Sequence, residues 1–173
     1  MANRKLGRAT DVRVAMLKTQ ATDLIWHEKI ETTLDRAKET KAIADSLIAL
    51  AVKEADNFEE IEVKVSKAKL DEKGNKVTEL VKSKNGREYL KVVREETTEK
   101  RKKDMPSKLN ARRKIMRNVN KVKDADGKNV DIPTKLFDEL APKYKDVKGG
   151  YTRIIKKGQR RGDAAETVIL ELI

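Results

Sequence analysis

The chain contains no cysteine and one histidine, His27. Without thiols there is no disulfide framework, no thiolate metal centre and no cysteine nucleophile. A zinc site would have to join one imidazole to carboxylates, an uncommon ligand set. A serine–histidine–aspartate arrangement would have to be built on His27 alone, which sits beside Glu28 at the end of a predicted helix and reads as a locally packed imidazole. Aromatic residues make up 3% of the chain, so a core must be aliphatic and stacking platforms for single strands are missing. Gly149-Gly150 is followed by no Gly-Lys-Ser/Thr and is no phosphate loop. No apolar run approaches the roughly 20 residues that span a bilayer, and the first residues lack the apolar segment of a secretory signal. Carboxylates are scattered among lysines, and none stands out as a catalytic pair. The expectation is a protein that is not an enzyme, with no metal, no cofactor, no small-molecule substrate and no membrane partner.

What is abundant is charge, and it is mostly positive. Charged residues are 40% of the 173, and the formal net charge is +12. It is unevenly placed. Residues 1–55 and 56–105 are each near balance, whereas residues 106–173 carry 17 basic and 9 acidic side chains. Between Pro106 and Lys123 stand seven basic residues and no acidic one. A solvated surface normally mixes signs, so one-signed clusters point to a polyanion. There are three. The first is Arg4, Lys5 and Arg8 followed by Arg13 and Lys18; the second is Lys108, Arg112, Arg113, Lys114 and Arg117; the third is Arg153, Lys156, Lys157, Arg160 and Arg161. Lys and Arg neutralise phosphates and release condensed counterions, and Arg adds bidentate geometry. No basic zipper or zinc finger is present, so charge and shape recognition of structured RNA fits these 15 residues best. The alternative from another class is a free basic adaptor or chaperone-like protein that binds acidic proteins.

The pattern of the chain predicts an α+β fold: helices packed on a small mixed or antiparallel sheet, with an inserted three-stranded β meander. Residues 1–9 read as a basic N-terminal arm, extended in form. Residues 10–56 and 106–173 read as an RNA-binding core, and 57–105 as a β-rich insertion. Thr10 is placed to cap a first helix running to about Trp26, with Val14, Leu17, Ala21, Leu24 and Ile25 at helical spacing. KIETT has strand-like residues. Thr33 precedes a second helix whose stripe is Ala37, Ala44, Leu47, Ile48 and Ala51. In the insertion, IEVKV alternates at period two, Gly74-Asn75 and Asn85-Gly86 are turn signals, and REYLKVVREETTEK is a third strand. SKLNARRKIMRNVNKV is helical. Pro133 opens a helix that buries Leu136, Phe137 and Leu140 before Pro142 stops it. The end of the chain reads as a strand, a basic loop and the strand TVILELI, in which Val168, Leu170 and Leu172 share one face.

Several stretches resemble a known family. NRKLGR at 3–8, AMLKTQATDLIWHEKIETTLDRAKE at 15–39, LIALA at 47–51, ARRKIM at 111–116, KLFDELAPKY at 135–144 and GGYTRIIKKGQRRGDAAETVILEL at 149–172 are similar to the bacterial large-subunit ribosomal protein numbered seventeen. The resemblance covers about 3–55 and 111–172 and leaves 57–105 as an insertion that some members carry. It implies an α+β domain with no catalysis, cytoplasmic and within the ribosome. It also implies binding to large-subunit ribosomal RNA near the outer mouth of the nascent-chain tunnel, beside neighbouring ribosomal proteins.

Overall fold

A computed structural model describes residues 4–124 and 126–173. The chain falls into two compact units, one of Met1–Asn57 with Met105–Ile173 and one of Phe58–Asp104.

The larger unit is built around two helices and a sheet, as the α+β expectation has it. Helix α1 (Thr10–His27) is followed by strand β1 (Lys29–Thr33) and helix α2 (Leu34–Glu54). The direction changes at Glu28, which adopts a left-handed conformation at φ 61°. The Lys135 ammonium secures that corner by donating to the Trp26 carbonyl at 2.7 Å, a cation where the helix dipole is negative. Thr10, expected to cap α1, is instead its first helical residue; Ala9 holds the cap position, and neither Ala9 nor Thr33 makes a side-chain cap bond. The stretch ahead of α1 is not simply extended. Leu6 and Gly7 both have positive φ (53° and 62°), and Arg8 N–H donates to the Lys5 carbonyl at 3.1 Å, closing a tight reverse turn. Residues 1–3 of the expected arm lie outside the described residues.

The expected stripe of α2 is buried at all five positions, and the α1 residues Leu24 and Ile25 are fully covered. Behind the helices lies an antiparallel sheet in the order β1–β9–β8, with β8 at Thr152–Gln159 and β9 at Glu166–Leu172. Val168, Leu170 and Leu172 alternate into the core as period two requires. Helix α3 (Pro106–Asn118) contributes Ala111 and Ile115 to the same core. The helix expected through Val122 ends at Asn118, and a hairpin of two-residue strands follows, β6 (Val122–Lys123) with β7 (Asn129–Val130), around the stretch expected as a loop. The next helical stretch has three parts: α4 (Ile132–Lys135), a π-helical turn (Leu136–Leu140) and α5 (Ala141–Lys143). The helix therefore runs one residue past Pro142 and ends at Lys143. In the wide turn Ala141 N–H donates to the Leu136 carbonyl, five residues back. The turn lies just before Pro142, whose ring would collide with the fourth preceding carbonyl in a regular helix.

The smaller unit contains four strands rather than a three-stranded meander. β2 (Phe58–Ala68) pairs along its whole length with β5 (Arg94–Asp104), and β3 (Thr78–Lys82) pairs with β4 (Glu88–Val92). The expected third strand is divided at Val93, so its second half folds back on β2. The division has a visible cause. Lys69 N–H donates to Val93 O (2.9 Å), Val93 N–H to Val77 O (3.0 Å) and Val77 N–H to Lys69 O (2.9 Å). This closed ring of three backbone bonds joins the β2–β5 stem to two lobes, one turning at Gly74 and the other at Gly86. Along the stem the basic run Lys100–Lys103 faces Glu62, Glu60 and Glu59, so opposite charges meet across the strands.

Met105 N–H donates to the Asn57 carbonyl at 3.2 Å, so a short bridge can join those two residues. Replacing Phe58–Asp104 by a short Gly/Ser linker should leave a cooperatively melting larger unit, since loop length alone changes stability by only about 0.6 kcal/mol per doubling. Loss of a cooperative transition in calorimetry would show that the four strands support the core. Within the full chain, Ile115→Ala should cost about 2–5 kcal/mol as a cavity substitution. Leu80→Ala, at a side chain 72% exposed, should cost no more than about 0.5 kcal/mol. Denaturant midpoints compare the two.

Candidate nucleic-acid interface

The structure sorts the 15 expected contact residues by whether the chain itself already uses their charge. Arg4 is spent on α2: its Nη1 lies 2.8 Å from Glu39 Oε1 and its Nε 3.3 Å from Asp35. Lys108 is buried, with its ammonium donating to the Ala55 carbonyl at 2.8 Å and 5.5 Å above the Phe137 ring. Arg112 lies 5.3 Å over the same ring and donates to Thr134 Oγ1 at 3.3 Å. Arg153 pairs with Glu171 at 3.5 Å. Lys157 reaches across β9 to both oxygens of Glu31 at 2.8 Å. Arg160 holds Asp163 in a fork, Nε to Oδ1 at 2.9 Å and Nη2 to Oδ2 at 2.6 Å. Among the described residues, the other nine form no ion pair with a carboxylate: Lys5, Arg8, Arg13, Lys18, Arg113, Lys114, Arg117, Lys156 and Arg161.

Long-range contacts bring two of the clusters together. Arg13 and Lys18 of α1 border a groove of about 280 Å³ that also touches Glu39 of α2 and Asn118 at the end of α3. Glu39 is the partner of Arg4, so the turn carrying Lys5 and Arg8 is anchored at the same groove. Asn120, just past α3, ties that end to α1 by donating through N–H to Thr22 Oγ1 (2.9 Å) and through Nδ2 to Thr19 Oγ1 (3.0 Å). The first and second clusters thus meet around one groove, with Arg117 next to Asn118. The third is connected through β1. Thr33, immediately before α2, pairs with Thr167 at the base of the β8–β9 loop, and Asp35, two residues on, binds Arg4.

The β8–β9 loop holds its own shape. Arg160 N–H donates to Ala165 O (3.0 Å), and Ala164 N–H donates to Arg160 O (2.9 Å) with Ala164 at φ 53°. Gly158 at φ 120° accompanies a register shift between Lys156 and Gly158, a bulge of the kind that re-aims side chains at a strand end. The Arg160 guanidinium is the largest influence on Asp163, whose carboxyl falls to about 2, aided by the Ala165 N–H. Asp163 is thereby occupied by Arg160, and Arg161, next in sequence, does not share it.

Sequence reasoning did not anticipate the structural cations. Besides Lys108 and Lys135, the Lys41 ammonium donates to the Thr152 carbonyl at 2.8 Å, joining α2 to β8. A lysine on the apolar side of a helix pattern, as Lys108 is, was the available signal. His27 ends α1 with its ring edge-on to Trp26, centroids 6.2 Å apart. Among the described residues no group of three or more His, Cys, Asp or Glu is placed to hold a metal, and no helix is long and apolar enough to cross a membrane.

Residues 16–173 match the family model described as ribosomal protein L17. The chain is 58% identical over 172 residues to the large ribosomal subunit protein bL17 of Acetivibrio thermocellus, covering 99% of each chain. It is 60% identical over 170 residues to the protein of that name from Ruminiclostridium cellulolyticum, covering 98% of each. A third relative of the same name, from Lachnospira eligens, is 49% identical over 180 residues, again with 98% of each covered.

The loop geometry sets a pH response. The ordinary aspartate value is about 3.9, and the folded value is about 2. The Arg160–Asp163 fork therefore supports the loop above the unfolded value and is lost as pH falls through about 2. Carboxyl NMR of the folded protein should give Asp163 a midpoint near 2, and Arg160→Gln should raise it toward about 4. An unchanged midpoint in the variant would show that the fork does not form in solution.

Proposed function

The chain belongs to the ribosomal protein L17 family, and from that premise we propose that it acts, not as an enzyme, but as a structural constituent of the large ribosomal subunit that binds ribosomal RNA through positioned Arg and Lys side chains. Its place is the cytoplasm, within the ribosome, near the outer mouth of the nascent-chain tunnel and beside neighbouring ribosomal proteins, as the family resemblance implies. The residues proposed to carry binding are the nine that pair with no carboxylate among the described residues, on the turn before α1, on α1, on α3 and on the β8–β9 hairpin. Arg4, Lys108, Arg112, Arg153, Lys157 and Arg160 act one step behind them, holding those elements in place.

The observation that carries this reading is the segregation of charge. In Phe58–Asp104, 14 basic side chains are nearly matched by 11 acidic ones, and Lys67, Lys69 and Lys82 pair with Glu99, Glu95 and Glu88. The rest of the chain carries 27 basic against 18 acidic side chains. In the larger unit these nine cations pair with no carboxylate among the described residues, while Glu31, Asp35, Glu39, Asp163 and Glu171 are occupied in setting the scaffold. Phosphates fixed in a folded RNA are the complementary partner, and a loop already bonded to itself loses little entropy on docking. Arg161 and Lys156 are the clearest instance, because Arg160–Asp163 and the Gly158 bulge fix the backbone beside them.

Two measurements test the proposal. The protein should co-sediment with large subunits near one copy per particle and remain after a high-salt wash; release at moderate salt would point to a loosely attached adaptor. With an RNA fragment of its site, Lys156→Ala with Arg161→Ala should weaken binding and flatten the log K against log salt slope by roughly 0.7–0.9 for each phosphate no longer neutralised. Lys67→Ala with Lys69→Ala removes the same charge from ion-paired sites and should do much less. Equal weakening by the two pairs would mean that net charge, not position, drives binding.

A further inference from the structure

Beside the one-signed helix α3 lies a cleft that phosphate binding leaves unexplained. It has a volume of about 290 Å³ and sits between the end of α3, β7 and the start of α4. Its walls are Met116, Val119, Val130 and Pro133, and its polar edge is Asn129 and Asp131. Met116 is 52% exposed, so apolar surface faces water at a point where the chain could have placed a polar side chain. Lys121 lines the cleft. Arg113, three residues before Met116, shares its face of α3. Neither cation has a carboxylate partner among the described residues, and no acidic residue occurs between Pro106 and Lys123.

An apolar slot with a hydrogen-bonding edge and flanking cations matches one chemical class. We propose that this cleft receives a single unstacked RNA base whose adjoining phosphates lie on Arg113 and Lys121. Met116 and the half-buried Val119 and Val130 would cover the base faces over the buried Pro133. The Asn129 amide and Asp131 Oδ1 would meet its hydrogen-bonding edge, Asp131 Oδ2 already accepting from Thr134 Oγ1 at 2.6 Å. Unstacked bases of loops and bulges are the part of RNA that proteins read by face and edge. A neighbouring protein's apolar side chain could fill the same walls, but it would gain nothing from the cationic flanks. The proposal rests on the RNA-binding reading above and goes beyond it by adding recognition of a base to neutralisation of phosphates.

The test uses the full chain with methyl-labelled Met and Val. Two probes of equal charge are compared by NMR titration, a cytidine pentanucleotide and an abasic ribose-phosphate pentamer. The base-bearing probe should bind roughly two- to fivefold more tightly, less than a base gains on an aromatic ring, and should shift the Met116 and Val130 methyl signals. Met116→Ala should abolish the difference between the probes while leaving abasic binding intact. Arg113→Gln with Lys121→Gln should weaken both probes. Equal binding of the two probes with unmoved methyls would overturn the base site and leave phosphate binding standing. Binding of neither probe would overturn the base site; the RNA-binding reading falls only if the structured RNA fragment of the site also fails to bind. A photo-reactive benzophenone side chain at position 129, in assembled large subunits, should cross-link to RNA; cross-linking to protein instead would assign the cleft to a protein neighbour and overturn the proposal.

Discussion

The larger unit depends on how closely other elements can approach one helix. Ala37, Ala44 and Ala51 of α2 are fully buried, with Leu47 and Ile48 between them. α1, α3, β1, β8, β9, the π-helical turn and α5 all contact α2. A chain with 3% aromatic residues cannot fill wide gaps with large rings. Small residues on the central helix remove the gaps instead, letting aliphatic side chains from every neighbour meet at interior packing density. The few aromatics are used where they join elements, as in the edge-on contact of Tyr144 with Tyr151, 5.3 Å between centroids. The Tyr144 hydroxyl also donates to the Ile173 carbonyl at 2.7 Å.

A thin core of this kind is stabilised by lysines that would otherwise read as surface charge. Lys41, Lys108 and Lys135 each aim an ammonium at a main-chain carbonyl of another element, and Lys108 and Lys135 also stand over the rings of Phe137 and Trp26. Each bond satisfies a carbonyl at or near the end of a helix or strand, where partners are scarce. These cations are unavailable to an external anion for the same reason that they are effective inside. Positive charge in this protein is therefore divided between lysines and arginines that hold the chain to itself and those that, among the described residues, pair with no carboxylate.

The smaller unit applies the opposite arrangement. Its strands oppose Glu to Lys along the stem, which cancels the field that a polyanion would respond to. A two-stranded ribbon has little core of its own. The ring of backbone bonds among Lys69, Val77 and Val93 gives the two lobes a fixed branching point that does not depend on buried side chains.

Local pattern determined much of this protein. The burial of α2 at every expected stripe position, the inward alternation of Val168, Leu170 and Leu172, and the turns at Gly74 and Gly86 follow from helical period, strand period and backbone freedom, which act over a few residues. The failures were also local in origin. Thr10 has the chemistry of a cap, but Ala9 holds that position. Pro142 has the chemistry of a stop, but a π-helical turn ahead of it lets the helix run one residue past it. REYLKVVREETTEK has the propensity of one strand, but Val93 accepts from Lys69 N–H and donates to the Val77 carbonyl, which divides it there. The basic clusters could be counted in sequence, yet which cations are spent and which are held out depends on partners far along the chain. Arg4 meets Glu39 35 residues away, and Lys157 meets Glu31 126 residues away. Composition determines how many charges the chain carries; only the fold brings distant carboxylates within about 3 Å of some of them and leaves others, among the described residues, without an ion pair.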